Sequence, residues 1–266
     1  MSAVDERGAG TTLATVARSV ALVGAALVAW EILAQSGVTS RILVPSLGSI
    51  GRELAGFVAR PESLGEAWLS LYRALAGFAL AAVVGVVLGV LMGRSALIAA
   101  CFGPVLAGTY PIPKIALFPI LVFVFGIGSL SKVLLVFLEC LYPIVITAYA
   151  GSRAVDRVLL WSARTMGASP AQVLWRIVVP ATAPHIFAGL RIALPIAMIV
   201  VIITEMIGSA DGLGYLVMYS LASFKTDRML AVVVMISLLG LALDRLLVLL
   251  RDRFVFWERL DSYYVG

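Results

Sequence analysis

Between residues 13 and 250 the chain alternates long apolar runs with short polar breaks. The runs cover 13–35, 67–92, 97–125, 132–150, 184–207 and 229–250. Each is about as long as the twenty residues a helix needs to cross a hydrocarbon layer about 30 Å thick. They are continuous and rich in Leu, Val, Ala and Ile. A transmembrane barrel strand would alternate instead, so the pattern predicts an all-α bundle of six spans. Pro104, Pro111, Pro113 and Pro119 interrupt the third run, which therefore predicts a broken helix, tolerated at membrane depth only where protein or water covers the freed backbone. Ala81, Gly85, Gly89 and Gly93 form a stripe at four-residue spacing, which lets a neighbouring helix approach closely, within the chain or across a dimer seam. The connector 37–66 carries turn signals at Pro45-Ser46 and Gly48, and its amphipathic part, 50–59, is expected on the membrane surface. No repeat or linker is visible, so the chain reads as one domain.

One polar stretch stands out. Residues 151–183 separate the fourth and fifth runs, and their centre, Ser162 to Pro180, carries Arg164 and Arg176. Its composition favours helix, with Gly167 expected to break the middle and Pro180 to close the end. A cationic, two-part helical loop on one membrane face is suited to meeting a partner. Taken alone, it is equally a plain connecting hairpin.

Composition narrows the chemistry. The 266 residues are 62% hydrophobic and 13% charged, against roughly a quarter charged in soluble proteins, so the chain belongs in a membrane. The net charge of +5 points to anionic headgroups rather than nucleic acid. His185 is the single histidine, and Cys101 and Cys140 both fall in apolar runs. No metal cluster or nucleophile–base set can be assembled from these, and no phosphate-binding Gly-x-x-x-x-Gly-Lys-Ser/Thr motif is present. The start lacks the basic segment and cleavage site of a signal peptide, so the first run is expected to be retained. With six spans both termini share a side with the loop. That side holds eleven Lys and Arg against seven on the other, which predicts a cytoplasmic loop and cytoplasmic termini. The tail 251–266, mixing Arg with aromatic residues, reads as interfacial.

Charges inside the runs are candidate path or gate residues. Pro111 and Lys114 lie in the broken segment, Glu139 in the fourth run, and Glu205 in the last turn of the fifth. Lys114 could attract an anionic solute, pair with Glu139, or snorkel to the interface. Glu205 could cap backbone amides of the glycine-rich connector Ser209–Tyr215 or line an outer gate. Arg191 is expected to snorkel or to hold carbonyls of the loop.

Ala163-Arg-Thr-Met-Gly167-Ala168-Ser169, followed by Val178-Val179-Pro180, resembles the EAA loop of ABC importer permeases. Pro45-Ser46, Leu75–Phe78, Pro111–Pro119, Phe125–Gly128, Gly189–Leu194, Thr204-Glu205 and Gly212–Leu216 also resemble the nitrate/sulfonate/taurine branch. Together these segments cover residues 43–260 in order. The resemblance implies a type I importer: two copies of the permease, two cytoplasmic ATPases and an extracytoplasmic binding protein, in a bacterial inner membrane among its lipids. ATP and Mg would then sit on the partner ATPase, with no cofactor on this chain. It also implies that the loop docks on the ATPase through Trp161, Ala163, Arg164, Gly167, Ala168, Ser169, Val173, Trp175, Arg176 and Pro180. One position departs. The family's acidic residue, expected to meet a basic group on the ATPase, is Trp161 here; either Arg164 or an acidic neighbour such as Asp156 serves instead, or docking leans more on shape and apolar packing. An ion-coupled secondary transporter is the alternative. It would use Lys114, Glu139 and Glu205 as a relay, but the inverted repeat common in such proteins is missing.

Overall fold

The computed structural model describes residues 5–40 and 42–257, and side chains from Arg18 onward; the aromatic tail residues Tyr263 and Tyr264 lie outside this range. Eleven α-helices follow one another among the described residues: α1 Asp5–Gln35, α2 Leu47–Ala59, α3 Pro61–Arg94, α4 Ala96–Thr109, α5 Phe118–Phe125, α6 Ser129–Ala154, α7 Arg157–Thr165, α8 Pro170–Val173, α9 Val179–Gly208, α10 Leu213–Ala222 and α11 Thr226–Phe254. Five stretches of the described residues are long and apolar enough to cross a membrane, and the α4–α5 pair makes six if counted as one bent span. That pair turns by 87° through Tyr110–Pro113 and a 3-10 turn at Lys114–Leu117. The prolines break the run where their spacing predicts.

Among the boundaries that differ from the expectation, two have a local physical cause. Helix α3 begins at Pro61 rather than near 67, because proline is favoured in a helix's first turn, where its missing N–H is not needed. Pro180 does not end a helix. A π-turn at Leu174–Val178, in which Val179 N–H donates to Leu174 O, precedes it, and the backbone then runs on through Gly208. The wider turn accommodates the lost donor, so the fifth apolar stretch extends back to Pro170.

The chain forms two compact units. The smaller comprises residues up to Pro61 together with Val217–Val234. In it the Trp30 indole N–H donates to Pro45 O (3.0 Å) and Leu47 N–H donates to the Glu31 carboxylate (2.7 Å). These bonds tie the end of α1 to the turn that starts α2, where Ser46 supplies the N-cap.

The larger unit, Glu62–Leu216 with Met235–Gly266, holds the main core. Helix α3 lays its small residues against α6. A side chain at Gly85 would meet Ile144, one at Gly89 would meet Ala148, and one at Gly93 would meet Ser152. The stripe is therefore an internal seam. On its other side α6 meets α9 as closely, with Gly189 against Thr147 and Gly151 against His185. The apolar centre of this three-helix sandwich contains Ala74, Ala81, Leu135, Val136, Ile144, Ala197 and Val201, all buried. Arg73 of α3 meets Ser129 of α6, while Gly93 of α3 meets Ser152 of α6. The two helices therefore run alike, and α9 returns between their ends. The unit has two functional ends, separated by the length of α6, about 39 Å for its 26 residues at 1.5 Å each.

Candidate functional site

The first end is the cationic loop. Asp156 caps α7 by accepting from Val158 N–H, so its carboxylate is already committed. The helix ends in a two-bond glycine cap. Ala168 N–H donates to Ala163 O and Gly167 N–H to Arg164 O, each at 3.0 Å, with Gly167 at φ +83°. An L side chain is strained in that left-handed conformation, which accounts for glycine at this position. Helix α8 restarts at once, through a reciprocal capping box between Ser169 and Gln172. Gly167 is thus the joint between two well-capped helical pieces.

The loop divides its residues between two faces. Leu160, Ala163, Val173 and Val178 are buried with Val90, Ala148, Val155 and Ile186, the ends of α3, α6 and α9. Ala168 packs on the same cluster, and Pro180 is half-buried. Trp161 (62% exposed), Met166 (80%) and Trp175 (67%) face outward with Val158 and Leu159. Arg164, Ser169 and Arg176 are exposed with them. Large apolar groups on a rim of arginines match what protein interfaces favour, and burying one such ring contributes several times what a surface ion pair does. Trp161 brings no charge where an acidic contact is expected.

The second end is a buried polar cluster. Arg73, 2% exposed, spends all three guanidinium nitrogens: on Glu205 (2.7 Å), on Asp211 (2.7 Å) and on Ser129 (3.0 Å). Glu205, 1% exposed, also accepts from the Ser70 hydroxyl (2.7 Å) and from Gly214 N–H (3.1 Å). Ser70 in turn accepts from Leu213 N–H, and Glu66 accepts from Gly212 N–H. Gly212 sits at φ +94° with its α-carbon against the Glu205 carboxylate, where a side chain would overlap it. Lys132, 1% exposed, donates to Ile127 O and to Ser209 Oγ, each at 3.0 Å. Arg73 and Lys132 face Glu205 and Asp211, and the half-buried Glu66 carboxylate is held by the Gly212 amide, so few of these groups are left uncompensated. For Asp211, in the connector, burial pulls the carboxyl upward, but bonds from Ser209 and Arg73 and the charges of Arg73 and Lys132 outweigh it. It titrates below its ordinary value.

Of the path candidates named from the sequence, only Glu205 belongs to this cluster. It caps a connector amide and is paired with Arg73, a residue that enters the sequence argument only as one of the seven cations opposite the loop. A lone Arg within the second apolar run was the available signal. Lys114 does not meet Glu139. Its ammonium lies over the Tyr142 ring (4.0 Å to the centroid) and near the Tyr110 and Ile112 carbonyls (3.3 and 3.4 Å), and it is 8% exposed. It clamps the bend in which Pro111 stands exposed. Glu139 is half-buried and has no hydrogen bond or ion pair among the described residues. Arg191 neither snorkels nor holds the loop: it pairs with Asp244 of α11 at 3.1 Å.

Comparison with known proteins accords with this arrangement. Residues 84–255 match the family described as binding-protein-dependent transport system inner membrane component. A permease protein of an ABC transporter from Methanocaldococcus jannaschii is 31% identical over 246 residues, covering 91% of this chain and 92% of that one. The taurine transport system permease TauC of Escherichia coli is 30% identical, covering 90% and 89%. The formylaminopyrimidine transport permease ThiX of Halalkalibacterium halodurans is 36% identical over a shorter stretch, 62% of this chain and 66% of that protein. The fold is similar to that of a chain in the inward-facing MetNI methionine ABC transporter, with a TM-score of 0.62, 20% identity, and coverage of 74% of this chain and 96% of that one. The chain belongs to the binding-protein-dependent transport family, and it is a multi-pass, non-enzymatic permease subunit of an ABC importer rather than an ion-coupled carrier.

Proposed function

We propose that two copies of this chain form the path of an importer for a small anion of the sulfonate, nitrate or carboxylate kind. Each cationic loop docks on one of two cytoplasmic ATPases, and a binding protein delivers the solute at the buried-cluster end. Both termini lie on the cytoplasmic side with the loop, where the excess of Lys and Arg falls. ATP and Mg are held by the partner, and this chain carries no cofactor. The taurine permease among its relatives supports the substrate class.

The observation that carries the coupling role is the outward patch of Trp161, Met166 and Trp175 beside Arg164 and Arg176, on a loop whose other face is anchored in the ends of three helices. A rigid piece anchored this way moves with those helices. ATPase closure is thereby converted into a displacement of α6 and α9. Gly167 is the joint between the docking helix α7 and the segment continuous with α9. Deleting Gly167–Trp175 should abolish co-purification of the ATPase and, with it, ATP-dependent uptake. Uptake that persisted with a hydrolysis-dead ATPase would overturn the proposal.

A further inference from the structure

Three cations inside the larger unit are consumed internally. Arg73, Lys132 and Lys114 are 2, 1 and 8% exposed, each with its partners in the protein. The Arg191–Asp244 pair on α9 and α11 is different: it is a bonded pair that stays open. Its side chains are 49% and 29% exposed, although both lie within apolar stretches that qualify as spans. Arg191 stands about 9 Å along α9, six residues at 1.5 Å each, inward of His185, which abuts Gly151 in the last turns of α6. It is about 25 Å from Gly208 on the same scale.

A charged side chain facing hydrocarbon at depth is costly, and snorkelling is the usual escape. Arg191 does not take it. Its Nε and one terminal nitrogen donate to the two oxygens of Asp244, at 3.1 and 3.4 Å, which holds the head group sideways across the helix pair. Two of the five guanidinium N–H groups are used, and the side chain is half exposed. Beside Asp244 lies a hollow of about 200 Å3, bordered by Leu194, Pro195, Met198, Ile199 and Gly240.

We infer that this face lines the water-filled part of the translocation path, and that Arg191 is an anion station on its loop-side third. The inference rests on the permease assignment and not on the particular solute. A planar, always-charged guanidinium suits an oxyanion, sulfonate or carboxylate, through two parallel N–H bonds. Asp244 keeps the station weak: it holds the guanidinium in place when no solute is present and competes for it when one arrives. Conduction needs this balance, since a site that binds too tightly does not release.

The test uses the permease–ATPase complex with the exposed Cys101 replaced by Ser and the buried Cys140 retained. Gly240, one helical turn from Asp244 and with open space where a side chain would stand, becomes the reporter as Gly240→Cys. Three thiol probes are compared: a sulfonate-bearing methanethiosulfonate, a trimethylammonium-bearing one, and an apolar maleimide that partitions into lipid. The anionic probe should react at least about tenfold faster than the cationic one. Arg191→Gln should abolish that ratio, while Arg191→Lys should keep it. Arg245→Gln, which removes an exposed neighbouring cation, should leave it unchanged. Labelling by the maleimide alone would place the face on lipid, and the inference would fall. Equal rates for the two charged probes, no labelling at all, or a ratio that survives Arg191→Gln would also overturn it. ATPase co-purified with each variant reads the permease assignment separately.

Discussion

The two ends of the larger unit place polar side chains in opposite ways. At one end Arg73, Lys132 and Glu205 are turned inward with the half-exposed Asp211 at their edge, and serine hydroxyls and connector amides supply further hydrogen bonds. At the other, arginines and tryptophans are turned outward, while the aliphatic residues between them do the anchoring. The difference separates a structural task from a binding task. The inward cluster fixes where the tips of α3, α6 and α9 and the connector sit relative to one another. The outward loop leaves its largest apolar groups for another surface to cover. Cutting into the cluster should therefore damage the fold, and cutting into the loop should damage association.

The largest effect is expected from Arg73→Met. It removes the partner of a buried carboxylate and leaves Glu205 and Asp211 facing Lys132 alone. Stability should fall by about 3–5 kcal/mol, read as an earlier thermal or denaturant transition of the purified permease. Molecules that remain folded should still carry the ATPase. An unchanged transition would mean that the cluster is not the clamp described here.

A smaller effect is expected at Gly167. Nothing lies within 4 Å of a side chain placed there, so Gly167→Ala meets no clash and bears only the left-handed backbone cost of about 1–2 kcal/mol. Gly167→Asn should recover part of that loss, since Asn tolerates this conformation better. If Ala and Asn are equally well tolerated in denaturant unfolding, the joint is not held in the left-handed turn.

Much of this was legible in the chain. The apolar runs gave the spans, the prolines at 111 and 113 gave the break, and Gly167 gave the joint, because each acts through local backbone chemistry. The small-residue stripe was legible as a close-packing surface, but its partner was not; that α6 fills it depends on the three-dimensional return of the chain. Long-range pairing was the opaque part. Arg73 finds Glu205 and Arg191 finds Asp244 across 132 and 53 positions, and no spacing rule links residues so far apart. Lys114 and Glu139 suggested a pair by their signs alone. The bend instead carries Lys114 onto the ring of Tyr142, one turn further along α6, and leaves Glu139 apart. Pro180 misled for a local reason: a π-turn just upstream accommodated a proline that would otherwise have ended a helix.

The contrast between the ends is tested most directly by the amount of ATPase that co-purifies per permease when the loop loses its rings. In the double variant Trp161→Ala with Trp175→Ala, both side chains are solvent-facing, so the permease itself should unfold no earlier than the unaltered protein. ATPase bound per permease should nevertheless drop at least about tenfold, the scale set by losing one or two interface anchors. A ratio equal to that of the unaltered complex would contradict the account, because the outward face would then not be what the ATPase holds.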